Sequence, residues 1–133
     1  MILLDTHALI WLNLGLSQLG PRARQAADEA LLEGRLAVSA VSFWEVAVLV
    51  ERRRVELDRS TDRWHQELLR SGLIEIPLDG KIAIAAIGLP NLHSDPADLF
   101  IAATAIIKEA RLITADRRLL NWSGPLECLD ART

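Results

Sequence analysis

The 133-residue sequence has few of the residues on which several common classes of protein depend. It contains a single cysteine, Cys128, which excludes an internal disulfide bond and a cysteine-rich zinc site. So little cysteine suits a reducing compartment, and we therefore expect a cytoplasmic location. The sequence also lacks a glycine-rich phosphate-binding loop, which argues against a nucleotide-binding enzyme.

Long apolar runs and a strong charge of one sign are absent as well. No apolar stretch approaches the roughly 20 residues that a membrane-spanning helix needs. Asp5 and His7 interrupt the apolar opening, so we expect neither a membrane span nor a signal peptide. The net charge of −3 does not indicate nucleic-acid binding. It is weak evidence against such binding, because several of the acids are candidates for a metal site rather than free surface charge.

The sequence does contain short apolar runs that alternate with longer segments of helical character. Half of the residues are apolar, enough for the core of one domain, and we expect residues 1–133 to form a single domain. The runs ILL, LAVSA, LIEIPL and RLITAD predict strands, and LECL is a candidate fifth. Ser42 and Asp95 are candidate N-caps of two of the intervening helices. The alternation predicts an α/β fold of three layers, with a central parallel sheet of four to five strands covered by helices.

Four acidic residues lie at one predicted edge of this sheet. Ligands of parallel α/β folds bind outside the carboxyl ends of the strands, where the following helices also begin. Asp5 ends the first strand and Asp116 follows the fourth. Glu45 and Asp98 lie early in the helices SFWEVAVLV and DPADLFIAATA. Each acid has a structural explanation of its own, such as an N-cap for Asp116, but a shared site better explains their joint position.

Clustered carboxylates indicate a divalent cation. Like charges raise one another's pKa, and a cation removes this repulsion. A ligand set made only of oxygen favours Mg²⁺ or Mn²⁺ over zinc. Such an ion can polarise a phosphodiester and stabilise the leaving oxygen. The residues therefore predict hydrolysis of a phosphate ester without a serine, cysteine or histidine nucleophile.

Two other classes of protein whose sites depend on aspartate residues agree less well with the sequence. A receiver-type phosphotransfer domain needs an aspartate at the end of the third strand, where LIEIPL is followed by Asp79 only after Pro77. A haloacid-type phosphatase needs a second aspartate two residues after Asp5, where this chain has His7. Neither class accounts for the set of acids at the sheet edge.

Four blocks of the sequence together resemble the signature of a known family. LLDTHALIWL, SFWEV, HSDPADLFIAATA and LITADRRL agree in order and spacing with PIN-domain proteins, and more narrowly with VapC-type toxins of type II toxin–antitoxin pairs. The resemblance extends from the first strand to the last. It implies a Mg²⁺- or Mn²⁺-dependent endoribonuclease that hydrolyses RNA, a homodimer, and a cognate antitoxin that masks the site. The alternative is a PIN fold that binds RNA or a protein without cutting.

The resemblance also assigns roles to individual residues. The implied catalytic acids are Asp5, Glu45, Asp98 and Asp116. The implied metal ligands are Asp5, Asp98 and Asp116. Thr6 and Thr114 match small hydroxyl positions that support the site. One departure is Leu99, because relatives with the DPxD block often have an arginine there, and this puts in doubt how the helix start or the RNA backbone is held.

Candidate contacts to the substrate and to the antitoxin complete the set. Arg117 and Arg118 directly follow the last of the acids, where phosphates must arrive. His93 is a candidate general base or substrate contact. Trp11 and Trp44 lie on helices that are candidates to bury an apolar segment of the antitoxin, a common role of tryptophan at interfaces.

Overall fold

The structure of the chain is a computed structural model that describes residues 1–92 and 95–133. Helices and strands alternate along it in the order β1 (Ile2–Leu4), α1 (Thr6–Leu14), α2 (Pro21–Leu32), β2 (Leu36–Ser39), α3 (Ala40–Glu51), α4 (Thr61–Arg70), β3 (Ile74–Ile76), α5 (Gly80–Ile87), α6 (Pro96–Ile107), β4 (Arg111–Thr114), α7 (Arg117–Leu120) and β5 (Cys128–Asp130). None of the helices in the described ranges has the length and apolar character that crossing a membrane requires.

The strands form one sheet in the order β3-β2-β1-β4-β5, and every neighbouring pair is parallel. The central strand β1 pairs Leu3 with Ala37 of β2 on one side and with Leu112 of β4 on the other. The chain first adds β2 and β3 to one side of β1 and then β4 and β5 to the opposite side. The order therefore reverses between β1 and β4, which is where ligands of such sheets bind.

Helices cover both faces of the sheet, as the alternation of side chains along β1 requires. Ile2 and Leu4 belong to a core with buried residues of α1, α2, α3 and α4, whereas Leu3 belongs to a second core with buried residues of α5 and α6. The prediction of a three-layer α/β fold with a parallel sheet of four to five strands is thus confirmed. The partly buried Cys128 packs against the second core.

The helix starts near the sheet edge agree with the sequence predictions except at α3. Asp95 caps α6, where its Oδ1 accepts a hydrogen bond from the backbone N–H of Ala97 (3.1 Å). The prediction that Ser42 caps α3 is wrong. Ser39, the last residue of β2, takes that position because α3 begins at the next residue without an intervening loop, and Ser42 is buried one turn further on.

Candidate active site

A cavity of about 360 Å³ opens at the carboxyl edge of the sheet, where β1 and β4 end. Five acidic side chains line it: Asp5, Glu45, Asp95, Asp98 and Asp116. We call this space the carboxylate cavity. It brings together the four acids that the sequence placed at this edge and adds the capping residue of α6.

Asp5 is the most buried of these acids, with 7% of its surface exposed. It connects the end of β1 to α1, and its Oδ1 accepts a hydrogen bond from the backbone N–H of Thr6 (2.8 Å). The hydroxyl of Thr114 donates to its Oδ2 (2.6 Å). Burial raises the pKa of Asp5, although both hydrogen bonds act in the opposite direction. The two hydrogen bonds therefore hold the carboxyl group in place, but neither donor carries a positive charge.

Glu45 enters the cavity from α3 and is tied to Asp5 through one residue. The hydroxyl of Thr6 donates to Oε1 of Glu45 and lies 2.9 Å from the hydroxyl of Ser42. Thr6 thus contacts Asp5 with its backbone and Glu45 with its side chain. Burial is the main cause of a raised pKa at Glu45, and the negative charge of Asp5 adds to it.

Asp98 has a strongly raised pKa. It lies in the first turn of α6 and is partly buried. Burial, followed by the negative charges of its acidic neighbours in the cavity, raises its pKa to about 8. At neutral pH and without a cation, this carboxyl group therefore carries a proton in much of the population.

Asp116 combines a structural role with a place in the cavity wall. Its Oδ1 accepts a hydrogen bond from the backbone N–H of Arg118 (2.8 Å), which caps α7. Its own backbone N–H donates to Oγ1 of Thr114 (3.0 Å). Thr114 is fully buried and thus links Asp116 to Asp5 across the gap between β4 and β1. Asp116 therefore both caps α7 and lines the cavity.

The donor chemistry of the cavity suits a hard divalent cation. All its acidic groups offer carboxylate oxygens, which Mg²⁺ and Mn²⁺ prefer. Within residues 1–92 and 95–133, no three histidine, cysteine, aspartate or glutamate side chains form a ready-made metal cage. Mg²⁺ does not need one, because it keeps several waters and takes one or two carboxylates directly. Burial and, after it, repulsion by the neighbouring acids raise the pKa of Asp98, and a cation in the cavity would offset both.

The predicted substrate contacts lie elsewhere. Arg117 is exposed, with Nη1 3.7 Å from Oδ2 of Asp130, and Arg118 lines a separate cleft beside α7. Neither is among the described residues of the cavity wall. Leu99 packs against the core beneath α5 and α6 and brings no charge to the cavity. His93 lies outside the described residues.

A PIN-domain family model matches residues 2–123 of the chain. This chain belongs to the PIN-domain family. Ribonuclease VapC22 of Mycobacterium tuberculosis is 36% identical to it over 125 residues, which covers 93% of each chain. This relationship confirms the resemblance to VapC-type proteins that the four sequence blocks indicated.

Solved structures place the same fold in complexes. A toxin–antitoxin complex from Klebsiella pneumoniae contains a chain 25% identical to this PIN domain, with a TM-score of 0.64 and 98% of both chains covered. The VapBC2 structure from Rickettsia felis, bound to a DNA fragment from its promoter, gives a TM-score of 0.70. It covers 97% of this chain and 98% of its own at 18% identity, and therefore supports the fold alone.

Three residues that line the cavity of this PIN domain had no predicted role in its chemistry. His7 is exposed in the first turn of α1, two residues after Asp5, and Trp11 follows one turn later. Arg132 enters from the segment after β5. The position of His7 beside Asp5 was a usable signal, because both lie at the same sheet edge. Arg132 gave none, because it belongs to no recognisable motif and reaches the cavity only through the fold.

Proposed function

We propose that this chain is a VapC-type toxin, an endoribonuclease that hydrolyses RNA phosphodiester bonds with Mg²⁺ or Mn²⁺ as cofactor. The observation that carries the proposal is the convergence of four acids from distant parts of the sequence on one cavity: Asp5, Glu45, Asp98 and Asp116. The relationship to a named ribonuclease over nearly the whole chain supports RNA as the substrate.

The acids divide into two roles in this proposal. Asp5, Asp98 and Asp116 are the metal ligands, and Glu45 is a catalytic acid beside them. The cation, when bound, supplies Lewis-acid polarisation of the phosphodiester and neutralises charge that develops on its oxygens. Asp98 contributes by giving up its proton as the cation binds, since its raised pKa comes from burial and repulsion that the cation offsets.

The threonines hold the acids in a fixed arrangement. Thr114 donates to Asp5 and accepts from the backbone of Asp116, so it links the residues that follow the adjacent strands β1 and β4. Thr6 fixes Glu45 relative to Asp5. Because the donors are neutral, they orient the carboxylates without removing the charge that attracts a cation. Such preorganisation lowers the cost of assembling the site when substrate arrives.

Partners and setting form the second part of the proposal. We infer that a cognate antitoxin covers the site, because a solved chain of this fold, 25% identical to this one, occurs in a toxin–antitoxin complex. We also infer a homodimer. Ile84 and Ile87, one turn apart on α5, are 77% and 86% exposed and offer apolar surface for self-association.

Residues 1–133 act as one domain in the cytoplasm, and His93, Arg117 and Arg118 stay predicted substrate contacts.

An RNA cleavage assay tests the proposed activity. The purified protein is incubated with single-stranded RNA in Mg²⁺ or Mn²⁺, and in parallel with a chelator. We expect cleavage that needs the metal and is lost in Asp98→Asn. A protein that binds the RNA but leaves it intact under all these conditions would instead be a non-catalytic PIN module.

Sedimentation separates the claims about assembly from the claim about activity. A dimer at micromolar concentration, dissociated by Ile87→Asp, would support self-association through α5. A monomer at high micromolar concentration would remove the dimer from the proposal and leave the nuclease unaffected.

A further inference from the structure

Arg132 brings a positive charge to the edge of the carboxylate cavity. Its Nη1 donates a hydrogen bond to the backbone carbonyl of Ala115 (2.9 Å), the residue that precedes Asp116. Its guanidinium carbon lies 5.5 Å from the centre of the Trp11 ring. Ala115, Trp11 and Arg132 all line the cavity. The guanidinium group of Arg132 is therefore held at the cavity by contacts with the residue that follows β4 and with α1.

The segment that carries Arg132 is fixed on both sides by backbone contacts. The N–H of Gly20 donates to the carbonyl of Ala131 (2.8 Å), and that of Arg22 donates to the carbonyl of Thr133 (2.9 Å). A Cβ atom at Gly20 would come within 2.1 Å of the carbonyl carbon of Thr133, so only glycine allows this approach. Arg132 is thus positioned by the fold rather than carried by a loose tail.

Its bonding leaves Arg132 suited to bind an anion. A guanidinium has several N–H donors in a planar fork, and the bond to Ala115 uses only part of them. That bond goes to a neutral carbonyl and leaves the positive charge in place. The side chain is exposed, and among the described residues of the cavity wall it is the one arginine or lysine. An incoming polyanion meets five carboxylates there and only this one fixed cation.

We propose that Arg132 is a substrate-binding residue that holds a phosphate of the RNA backbone beside the phosphate to be cut. This inference rests on the proposed nuclease function. The planar fork of arginine matches phosphate oxygens, and an aromatic platform such as Trp11 holds it in one orientation. RNA is the polyanion whose neighbouring phosphates would reach both Arg132 and the acids. The positive charge of Arg132 at the edge of the cavity offsets the repulsion between the RNA phosphates and the acidic side chains.

RNA binding measured without cleavage tests the proposal. In an Asp98→Asn background, anisotropy of a labelled, mixed-sequence single-stranded RNA oligonucleotide is compared between Arg132 and Arg132→Gln. We expect the substitution to raise Kd about tenfold, as for the loss of one charge-assisted hydrogen bond. The slope of log Kd against log salt should become shallower by about 0.7, which corresponds to one phosphate contact on a single strand.

Kinetics of the chain with its acids intact separate binding from catalysis. Arg132→Gln should raise KM while kcat on saturating RNA stays within about threefold of its original value, as expected for loss of uniform binding. Arg132→Lys should keep the salt slope because it keeps the charge. The matched control is Arg70→Gln, since Arg70 is exposed at the end of α4 and lies outside the cavity wall.

Three results would overturn the role of Arg132. They are an unchanged Kd and salt slope in Arg132→Gln, an equal loss in Arg70→Gln, or a fall in kcat with KM unchanged. A lower melting temperature in both Arg132→Gln and Arg132→Lys would assign Arg132 to packing of the segment instead. Failure of the unsubstituted chain to cut RNA would contradict the proposed function, which these comparisons distinguish from failure at Arg132.

Discussion

Two acidic regions of the molecule contain the same residue types in opposite electrostatic settings. The first is the carboxylate cavity. The second is a cleft beside α4, here called the ion-paired cleft, which contains Asp58, Arg59 and Glu67. Arg59 contacts both acids, and its Nε lies 2.7 Å from Oδ1 of Asp58. Arg59 lowers the pKa of Asp58 and of Glu67. In the cavity, burial instead raises the pKa of Asp5, Glu45 and Asp98.

The difference lies in what accompanies each carboxylate. In the ion-paired cleft the acids are solvated and an arginine supplies the opposite charge. In the cavity, Asp5 is bonded to the hydroxyl of Thr114 and the amide of Thr6, which fix its position and carry no charge. Folding has therefore placed a positive charge in direct contact with the acids of one region, whereas the two groups that bond to Asp5 in the other region are neutral. This contrast is the one we expect between a structural cluster and the proposed site for metal and substrate.

The strongest test of the contrast removes one carboxylate from the cavity. Asp5→Asn should lower the rate of RNA cleavage by about three orders of magnitude or more, because it keeps the shape of the side chain but loses charge needed to hold the cation. Stability without metal should hold or rise, since removing one charge relieves repulsion. Cleavage assays and thermal melts in chelator measure the two effects on the same preparation.

The matched change in the ion-paired cleft is Glu67→Gln, which should leave cleavage within about twofold of the original rate. The interpretation of Asp5 would be contradicted by an Asp5→Asn protein that melts early. If Asp5 were instead part of a buried ion pair, removing its charge would lower the free energy of unfolding by roughly 3–5 kcal/mol. An Asp5→Asn protein that cuts RNA normally would be equally damaging.

Divalent cations should stabilise the chain through the cavity alone. A ligand present at about 100 times its Kd stabilises the folded state by about 2.7 kcal/mol, and the melting temperature should rise with Mg²⁺ or Mn²⁺ concentration accordingly. Asp98→Asn should abolish most of this rise, and Glu67→Gln should keep it. Differential scanning fluorimetry over a metal titration gives the comparison. An equal rise in both variants would mean that the metal binds elsewhere.

The pH dependence of stability should differ in sign between the two regions. Because folding raises the pKa of Asp98 from 3.8 to about 8, its favourable contribution is complete below pH 3.8 and is lost as the pH rises through about 8. Urea unfolding in chelator should show stability falling over this range relative to Asp98→Asn. The difference between the two proteins should level off above pH 8.

Glu67 should behave in the opposite way. Its pKa is lowered from 4.5, so its contribution is present above pH 4.5 and is lost as the pH falls further. The unsubstituted protein should therefore be more stable than Glu67→Gln by a constant margin from neutral pH down to about 4.5, and this margin should shrink only below pH 4.5. If the free energy of unfolding changed with pH equally in all three proteins between pH 4 and 8, Asp98 would not be the source of this pH dependence.

The sequence predicted the candidate site best where an acidic residue directly follows a strand. The runs before Asp5 and Asp116 are short and apolar, so they identify buried parallel strands, and the rule for sheet edges then brings both acids together. The N-cap of α3 was misplaced because Ser39 and Ser42 are equally plausible capping residues in sequence. Only the absence of a loop after β2 decides between them.

Contacts between distant segments could not be anticipated in the same way. Arg132 reaches the cavity because a backbone approach at Gly20 fixes the segment after β5, and that approach leaves no periodic pattern in the sequence. The linking role of Thr6 depends on the packing of α1 against α3, which brings Glu45 within reach of its hydroxyl. Local patterns predict elements and edges, whereas such bonds depend on how the elements pack.

The smallest expected effect concerns the charge pairs of the ion-paired cleft. Arg59→Gln should lower the free energy of unfolding only slightly, because exposed ion pairs gain little over hydration and lose side-chain freedom. The effect should shrink further at high salt, which screens surface charges. Urea unfolding at low and high salt measures both. A large loss of stability that does not depend on salt, or a drop in RNA cleavage, would contradict this contrast. The ion-paired cleft would then be as important as the carboxylate cavity.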